Sequence, residues 1–423
     1  MSKLQSLRGF NDVLPQQSAL FRRVFATAAD VAGRYGYGEL RLPLLEATTL
    51  FKRAVGEVTD VIEKEMYSFD DRDGVSVSLR PELTAGTVRA GIEHGLLHNQ
   101  QQRFWYAGPA FRHERPQAGR YRQFHQVGVE AYGMAGPDID AEVIAFSQRF
   151  LTALGIGGLK LEINSLGGSE ARANYRAALV EYLLRYVDEL DEDSKRRVLT
   201  NPLRVLDSKI LRTKEIVADA PLLIDYLEYD SRAHFDGWRQ AMDDLGIAYE
   251  VSPKLVRGLD YYTRGVFEWT TTELGSQGTV LAGGRYDNLV SQLGGSPSPA
   301  VGWASGVERL VLLLEKQQAQ QKPSDAPQVY FCTLSEGADQ MARVLAELLR
   351  TQLPNLRLLL NAGGGKLKTQ LGRAEKSGAG LWLVLGDSEL AEGAVQVKSA
   401  IPSGGDERVA FAALPEFIAP RLI

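Results

Sequence analysis

Arg112, Arg115, Arg120 and Arg122 fall within eleven residues, and Glu114 is the one acid among them. Pro116 and Gly119 break the segment, so the arginines belong to a loop between two strand-like stretches. Guanidinium forks bind phosphate oxygens two at a time, and a loop this basic beside sheet edges suits a polyphosphate or a nucleic-acid backbone. By charge density alone it also fits a solvated hairpin. The strand that follows narrows the chemistry. Phe124, Gln126, Gly128 and Glu130 have one parity, so their side chains share a face. That face carries an aromatic ring, an amide, an empty position and a carboxylate, where a plain half-buried strand would show aliphatics. It suits a floor for a flat ring and a small polar molecule; a polar face turned to solvent is the alternative.

Three further segments hold unusual residues. In 255–263, Arg257 stands beside Gly258, followed by Asp260, Tyr261 and Tyr262, in a stretch that reads as strand. Gly258 allows close approach of backbone to a ligand, or marks a bulge with tyrosines packed in a core. In 282–287, Gly283 and Gly284 precede Arg285 and Tyr286; the pattern fits a tight hairpin turn, or backbone N–H groups facing an anion. In 302–311, a small-residue strand turns at Gly306 into a helix with the stripe Val307, Leu310, Val311 and Leu314. Arg309 lies one turn in, near the positive helix N-terminus, where anions are favoured.

The elements that must position these residues follow from periodicity. A helix is expected over about 16–35, with Phe21, Val24, Phe25, Ala28, Val31, Ala32 and Tyr35 as one stripe. Residues 39–45 read as a strand interrupted by Pro43, which has no N–H to donate and so predicts an edge or an interface. Asp73-Gly74 predicts a hairpin over 66–80. A helix starts near Thr84; strands are expected at 103–112, 122–133, 158–164, 249–270 and 278–283, with a helix at 140–154. Residues 170–228 read as an inserted, charge-rich helical module. The polar run 315–327 reads as a linker. Beyond it, strands alternate with helices, predicting an α/β domain over 328–423 with a largely parallel sheet, and leaving 1–322 as the other domain.

Composition excludes several classes. With 44% hydrophobic and 24% charged residues the chain is a soluble globular type, and no apolar run approaches the ~18 residues of a membrane span. Net charge is −5, against a protein that coats DNA, although local patches outweigh the total. Cys332 is the only cysteine, so no disulfide framework or multi-cysteine zinc site exists, and no signal-peptide core precedes the first helix. An intracellular, cytoplasmic location is the expectation.

Together these segments resemble the histidyl-tRNA synthetase family, within the class II aminoacyl-tRNA synthetases. FRHERPQAGRYRQFHQ resembles class II motif 2, GWASGVERL motif 3, and the region around Pro43 motif 1. RGLDYY and AGGRYD are similar to two segments peculiar to the histidine enzymes. NPLRVLDSK at 201–209 is similar to the family's inserted helical domain, and 363–379 resembles its anticodon-binding domain. One departure is Leu83, where many members have glycine.

The resemblance implies an α+β catalytic domain with an antiparallel sheet flanked by helices, a helical insertion, a C-terminal α/β anticodon-binding domain, and a homodimer. It implies ATP with Mg²⁺, L-histidine and tRNA(His) as the molecules bound. Arg112 would hold the ATP α-phosphate, Glu114 the adenine amino group, Phe124 would stack on adenine, and Arg120 and Arg309 would hold the γ-phosphate end. Arg257 would lie between the histidine carboxylate and the α-phosphate, so Arg257 and Arg112 would be the catalytic pair. Glu82, Thr84 and Gln126 would take the α-amino group, Glu130 and Tyr262 the two imidazole nitrogens, and Tyr261 and Tyr286 would line that pocket. Gln117 and Arg122 would face the tRNA acceptor end. Two rival readings remain: a catalytically silent paralogue that regulates ATP phosphoribosyltransferase, and an amino-acid–AMP ligase acting on something other than tRNA.

Overall fold

The helix Pro15–Arg34 starts with proline at its first position, where a missing N–H costs nothing, and its stripe buries Leu20, Phe21, Val24, Ala28, Val31 and Ala32. That stripe packs on the helices Pro137–Leu154 and Val307–Gln317 over one face of a large sheet. The computed structural model describes every residue except 1–2, 57–58, 60, 209, 258, 260, 276–277, 318–325, 400–405 and 423. Gly258, Asp260 and most of the expected linker therefore lie outside the described residues. The chain forms two compact units, 1–322 and 323–423.

The first unit is built on an eight-stranded sheet. Its order is Gly38–Glu39, Gln102–Phe111, Gln123–Tyr132, Ala300–Gly306, Thr279–Arg285, Thr263–Thr270, Lys160–Ser165 and Glu250–Val251. Only the two short edge strands pair in parallel; every other neighbour is antiparallel. Val127, Val129 and Ala131 point into the helix-covered core, which leaves Phe124, Gln126, Gly128 and Glu130 for the opposite face.

The expected hairpin forms between Tyr67–Asp70 and Ser76–Leu79, where Asp71 Oδ1 accepts from the backbone N–H of Asp73 and Val75 and Gly74 takes φ +79°. With Leu45–Ala47 it makes a separate three-stranded sheet. The strand expected across Pro43 is instead two, Gly38–Glu39 and Leu45–Ala47, in different sheets; Pro43 is the break, and its carbonyl accepts from Arg80.

Two other expectations are corrected. The stretch 249–270 is not one strand: only Glu250–Val251 and Thr263–Thr270 pair, and Arg257, Tyr261 and Tyr262 lie on the connection between them. Gly283 and Gly284 are not a turn but the interior of Thr279–Arg285; a side chain at Gly283 would strike the Gly302 carbonyl of the adjacent strand. The inserted region is helical, with Ser169–Leu184, Glu192–Thr200 and Leu211–Ala218. The helix Tyr229–Asp244, not anticipated, follows it and buries Phe235, Trp238 and Met242 in the main core.

The second unit has a five-stranded sheet in the order Leu358–Leu360, Val329–Thr333, Leu381–Leu385, Ala394–Ser399, Glu407–Ala410. The first three are parallel, as the alternation with helices predicts. The last two are antiparallel additions, so the sheet is mixed. Gln370, fully buried on the helix Leu367–Ser377, ties that helix to the sheet through both the N–H and the carbonyl of Thr333.

Candidate active site

The strands Gln123–Tyr132 and Ala300–Gly306 form the floor. Their register sets Gly302 opposite Glu130, and any side chain at 302 would overlap the Glu130 carboxylate. Likewise Gly128 leaves the space that the Tyr106 hydroxyl fills. The glycines thus make room for a buried polar cluster. Glu130 is 1% exposed; its Oε1 accepts from Thr84 Oγ1 at 2.7 Å and from the Tyr106 hydroxyl at 3.0 Å, and its Oε2 accepts from the Tyr286 hydroxyl. Burial pushes this carboxyl up to about 8, against the opposing pull of those three hydroxyl donors.

Above this cluster is a cavity of about 140 Å³. Glu82, Thr84, Gln126, Glu130, Arg257, Tyr261, Tyr262 and Tyr286 are among the residues that line it. Glu82, just before the N-cap Leu83 of the helix Thr84–Glu93, also accepts from the backbone N–H of Thr84 at 2.7 Å and Ala85 at 2.8 Å, two donors that the helix leaves unpaired. Burial raises its pKa as well. Leu83 sits in an ordinary right-handed conformation and packs with Tyr106 and Ala110, so no glycine is needed there. Gln126 also lines this cavity, and its buried Oε1 has no hydrogen-bond partner among the described residues.

A second cavity of about 650 Å³ adjoins the first, and Arg112 and Arg257 line both. Arg120 and Arg309 line only the larger one. Arg112 is aimed by its Nε donation to the Pro81 carbonyl at 2.8 Å, and its guanidinium lies 5.5 Å from the centre of the Phe124 ring. Arg257 donates to Glu268, whose other oxygen accepts from Thr279 Oγ1 at 3.0 Å; Arg257 Nε has no partner among the described residues. Burial alone would lower the Arg257 pKa, but Glu268 carries it above the ordinary value. Burial, with repulsion from Arg120, brings Arg309 down to about 10. Gly119, at φ +71°, fits the loop against Arg309 and Leu312.

Not every predicted residue reaches a cavity wall. Glu114 pairs with Arg120 at 3.0 Å, so the residues expected at opposite ends of ATP hold each other here. Gln117 is exposed on the loop tip, and Arg122 donates to the Glu114 carbonyl at 3.3 Å. Three functional neighbours escaped sequence reasoning. Tyr106 could have been inferred from the empty position at Gly128, but its partner could not. Glu308 accepts from the His125 backbone N–H and contacts His125 Nδ1 at 2.8 Å, locking the Arg309 helix to the Gln126 strand. Arg285 is fully buried on Asp140, 145 residues away.

An antiparallel sheet that presents an arginine-rich strand–loop–strand, next to a strand-to-helix turn carrying a further arginine, is the catalytic framework of a class II aminoacyl-tRNA synthetase. The profile described as histidyl-tRNA synthetase matches residues 9–310, and that described as anticodon binding domain matches residues 328–421. The chain belongs to the histidyl-tRNA synthetase family, the histidine–tRNA ligases. It is similar to apo histidyl-tRNA synthetase of S. aureus, with 34% identity over 98% of this chain and 99% of that one and a TM-score of 0.79. A histidyl-tRNA synthetase from Nostoc sp. shares the fold at 20% identity, with full coverage of both chains and a TM-score of 0.73. A Bacillus halodurans protein described as ATP phosphoribosyltransferase regulatory subunit/histidyl-tRNA synthetase shares it at 21% identity, covering 91% of this chain and 98% of that one, with a TM-score of 0.65.

Proposed function

We propose that the chain joins L-histidine to ATP as histidyl-adenylate, releasing pyrophosphate, and then passes the histidyl group to tRNA(His), releasing AMP. The observation that carries this reading is the pair of adjoining cavities that share Arg112 and Arg257. The smaller would take histidine, with its ring on Glu130 and Tyr262, its amino group on Glu82, Thr84 and Gln126, and Tyr261 and Tyr286 as walls. The larger would take ATP, with phosphates on Arg112, Arg120 and Arg309 and adenine between Phe124 and Glu114. The carboxylate oxygen attacks the α-phosphorus and the bond to pyrophosphate breaks. No base is needed, because the carboxylate is already ionised. Arg112 and Arg257, held by Pro81 and Glu268, face the negative charge that builds up. The ribose hydroxyl of the tRNA then attacks the carbonyl, and AMP leaves.

Mg²⁺ would enter with ATP. Glu162 and Glu268 are register partners on adjacent strands and both line the larger cavity, which fits a cation held by one or two carboxylates plus phosphates. The ion would neutralise charge on the phosphates. Gln117 and Arg122 would meet the acceptor end. The unit 323–423 would bind the anticodon stem, with Lys366, Lys368 and Lys376 exposed on or beside one helix. Arg373 is a weaker candidate than its charge implies: it donates to Asn361 Oδ1 and to the carbonyls of Ala362 and Gly364, holding the glycine loop.

A homodimer is supported by the exposed apolar residues Leu44, Leu45, Phe69 and Val75 around the small sheet and Pro43. No described helix is long and apolar enough to cross a membrane; a cytoplasmic site of action suits the reaction.

ATP–pyrophosphate exchange with each of the twenty amino acids tests the reading. Exchange should need histidine, and a chain without it would instead favour the regulatory paralogue. A chain ending at Lys322 should keep histidine-dependent exchange and charge tRNA poorly, with the deficit shrinking at high salt. Equal charging by a folded, truncated chain would remove the anticodon role.

A further inference from the structure

Arg285 is 0% exposed, and all five of its N–H groups are taken. Nε and one terminal nitrogen donate to Asp140, at 3.1 Å and 2.6 Å. The terminal nitrogens also donate to the carbonyls of Met134 and Gly136, both at 3.0 Å, and to Asp287 Oδ1 at 3.1 Å. These acceptors lie on segments that adjoin the strands around Tyr286. Met134 and Gly136 follow the strand that carries Glu130. Asp287 Oδ1 accepts from the Ala300 N–H at 3.0 Å, at the start of the strand that carries Gly302, and the Tyr286 N–H donates to the Ala300 carbonyl at 2.8 Å. Asp140 Oδ2, which accepts from Arg285, also contacts His234 Nε2 at 3.0 Å, on the helix that follows the inserted module. The guanidinium thus ties together the ends of the strands flanking Tyr286, whose hydroxyl donates to Glu130 on the cavity face.

We infer that Arg285, clamped by Asp140, is a positioning residue for histidine selection: it holds the Tyr286 hydroxyl on the Glu130 carboxylate and so sets the ring-binding end of the smaller cavity, without touching the ligand. This rests on the histidine-activation reading above. Neither Arg285 nor Asp140 lines either cavity. A buried ion pair costs about as much in desolvation as it returns, so stability alone does not account for charges placed here.

The test is histidine-dependent pyrophosphate exchange by wild type, Arg285→Lys, Tyr286→Phe and the double variant, with separate KM values for histidine and ATP. Lysine keeps the charge but cannot reproduce the five-donor fork. Arg285→Lys should raise histidine KM by about tenfold or more, as for loss of a hydrogen bond to a charged group, and leave ATP KM within about twofold. In the Tyr286→Phe background the same change should add less than about twofold, because both act through one hydroxyl. Equal rises in both KM values, or multiplicative effects of the two substitutions, overturn the inference. If Arg285→Lys does not fold, Asp140→Asn replaces it in the same series, and an unchanged histidine KM there overturns it too. Absence of histidine-dependent exchange in wild type would bring down the functional reading itself, which the wild-type arm shows separately.

Discussion

The two adjoining cavities that share Arg112 and Arg257 are built on opposite principles. The two carboxylates of the smaller already have partners in place: Glu130 accepts from three hydroxyls, and Glu82 accepts from two backbone N–H groups. The arginines of the larger are held in ion pairs, Arg257 with Glu268 on the same wall and Arg120 with Glu114 behind it. Buried polar networks are costly to leave half-satisfied, so they change little on binding and can discriminate strongly. Partly exposed ion pairs are worth little by themselves and exchange readily for a phosphate. On the proposed function, selection would belong to the small cavity and charge compensation to the large one.

Arg257 lines both cavities, and its loss should give the largest effect. Arg257→Ala is expected to lower pyrophosphate exchange by about 10²–10³, the range for one preorganised donor, with the fold retained. A folded variant with wild-type exchange would place the reacting atoms elsewhere. Glu130→Ala should act on one side only, raising histidine KM by about 10–10² through lost buried hydrogen bonds while ATP KM stays within about twofold. Steady-state kinetics with each substrate varied would check this, and an ATP effect as large as the histidine effect would erase the division. Arg120→Ala should do the reverse at smaller scale, raising ATP KM about fivefold. Its Glu114 partner is 20% exposed and Arg120 38%, so the lost pair should change stability by under ~1 kcal/mol in a denaturant titration.

The smallest effect concerns pH. The Glu130 carboxyl is raised from 4.5 to about 8 in the folded chain. The folded state therefore holds a proton that the unfolded state releases first. The associated stability is fully present below about 4.5 and is lost as pH rises toward 8. Glu130→Gln cannot titrate, so its Tm should fall less than that of wild type between pH 5 and 8, by about a few degrees. Parallel melting profiles for the two proteins would show that the carboxyl titrates normally and that the small cavity is wetter than its geometry implies.

Much of this site is legible in the order of the amino acids. Glu130, Gln126 and Phe124 share a strand face because side-chain parity is local, and Arg309 falls one turn into a helix for the same reason. Asp73-Gly74 closes its hairpin as the turn chemistry requires. The illegible part consists of partnerships. Nothing local distinguishes Arg285, which is locked in the interior, from Arg112, which lines both cavities. Arg373 has the charge of an RNA-binding cation and instead holds three oxygens of its own loop. The two glycines before Arg285 suggest a turn, although they sit in a strand because the neighbouring strand passes too close for a side chain.

The amino-acid order by itself determined most of the helices, though not Tyr229–Asp244, the alternation within the strands of the floor, and the residue types offered on each face, since these depend on backbone periods of 3.6 and 2 and on neighbours a few positions away. The tertiary structure decided which offered groups meet. Gly302 makes space for Glu130 only through a register set between strands far apart in the chain, and the Tyr286 hydroxyl reaches that carboxylate across 156 residues. Such meetings depend on how sheets and helices close on one another, and burial then converts a set of polar side chains into a carboxyl shifted toward neutrality, an unpaired amide oxygen and two adjoining cavities.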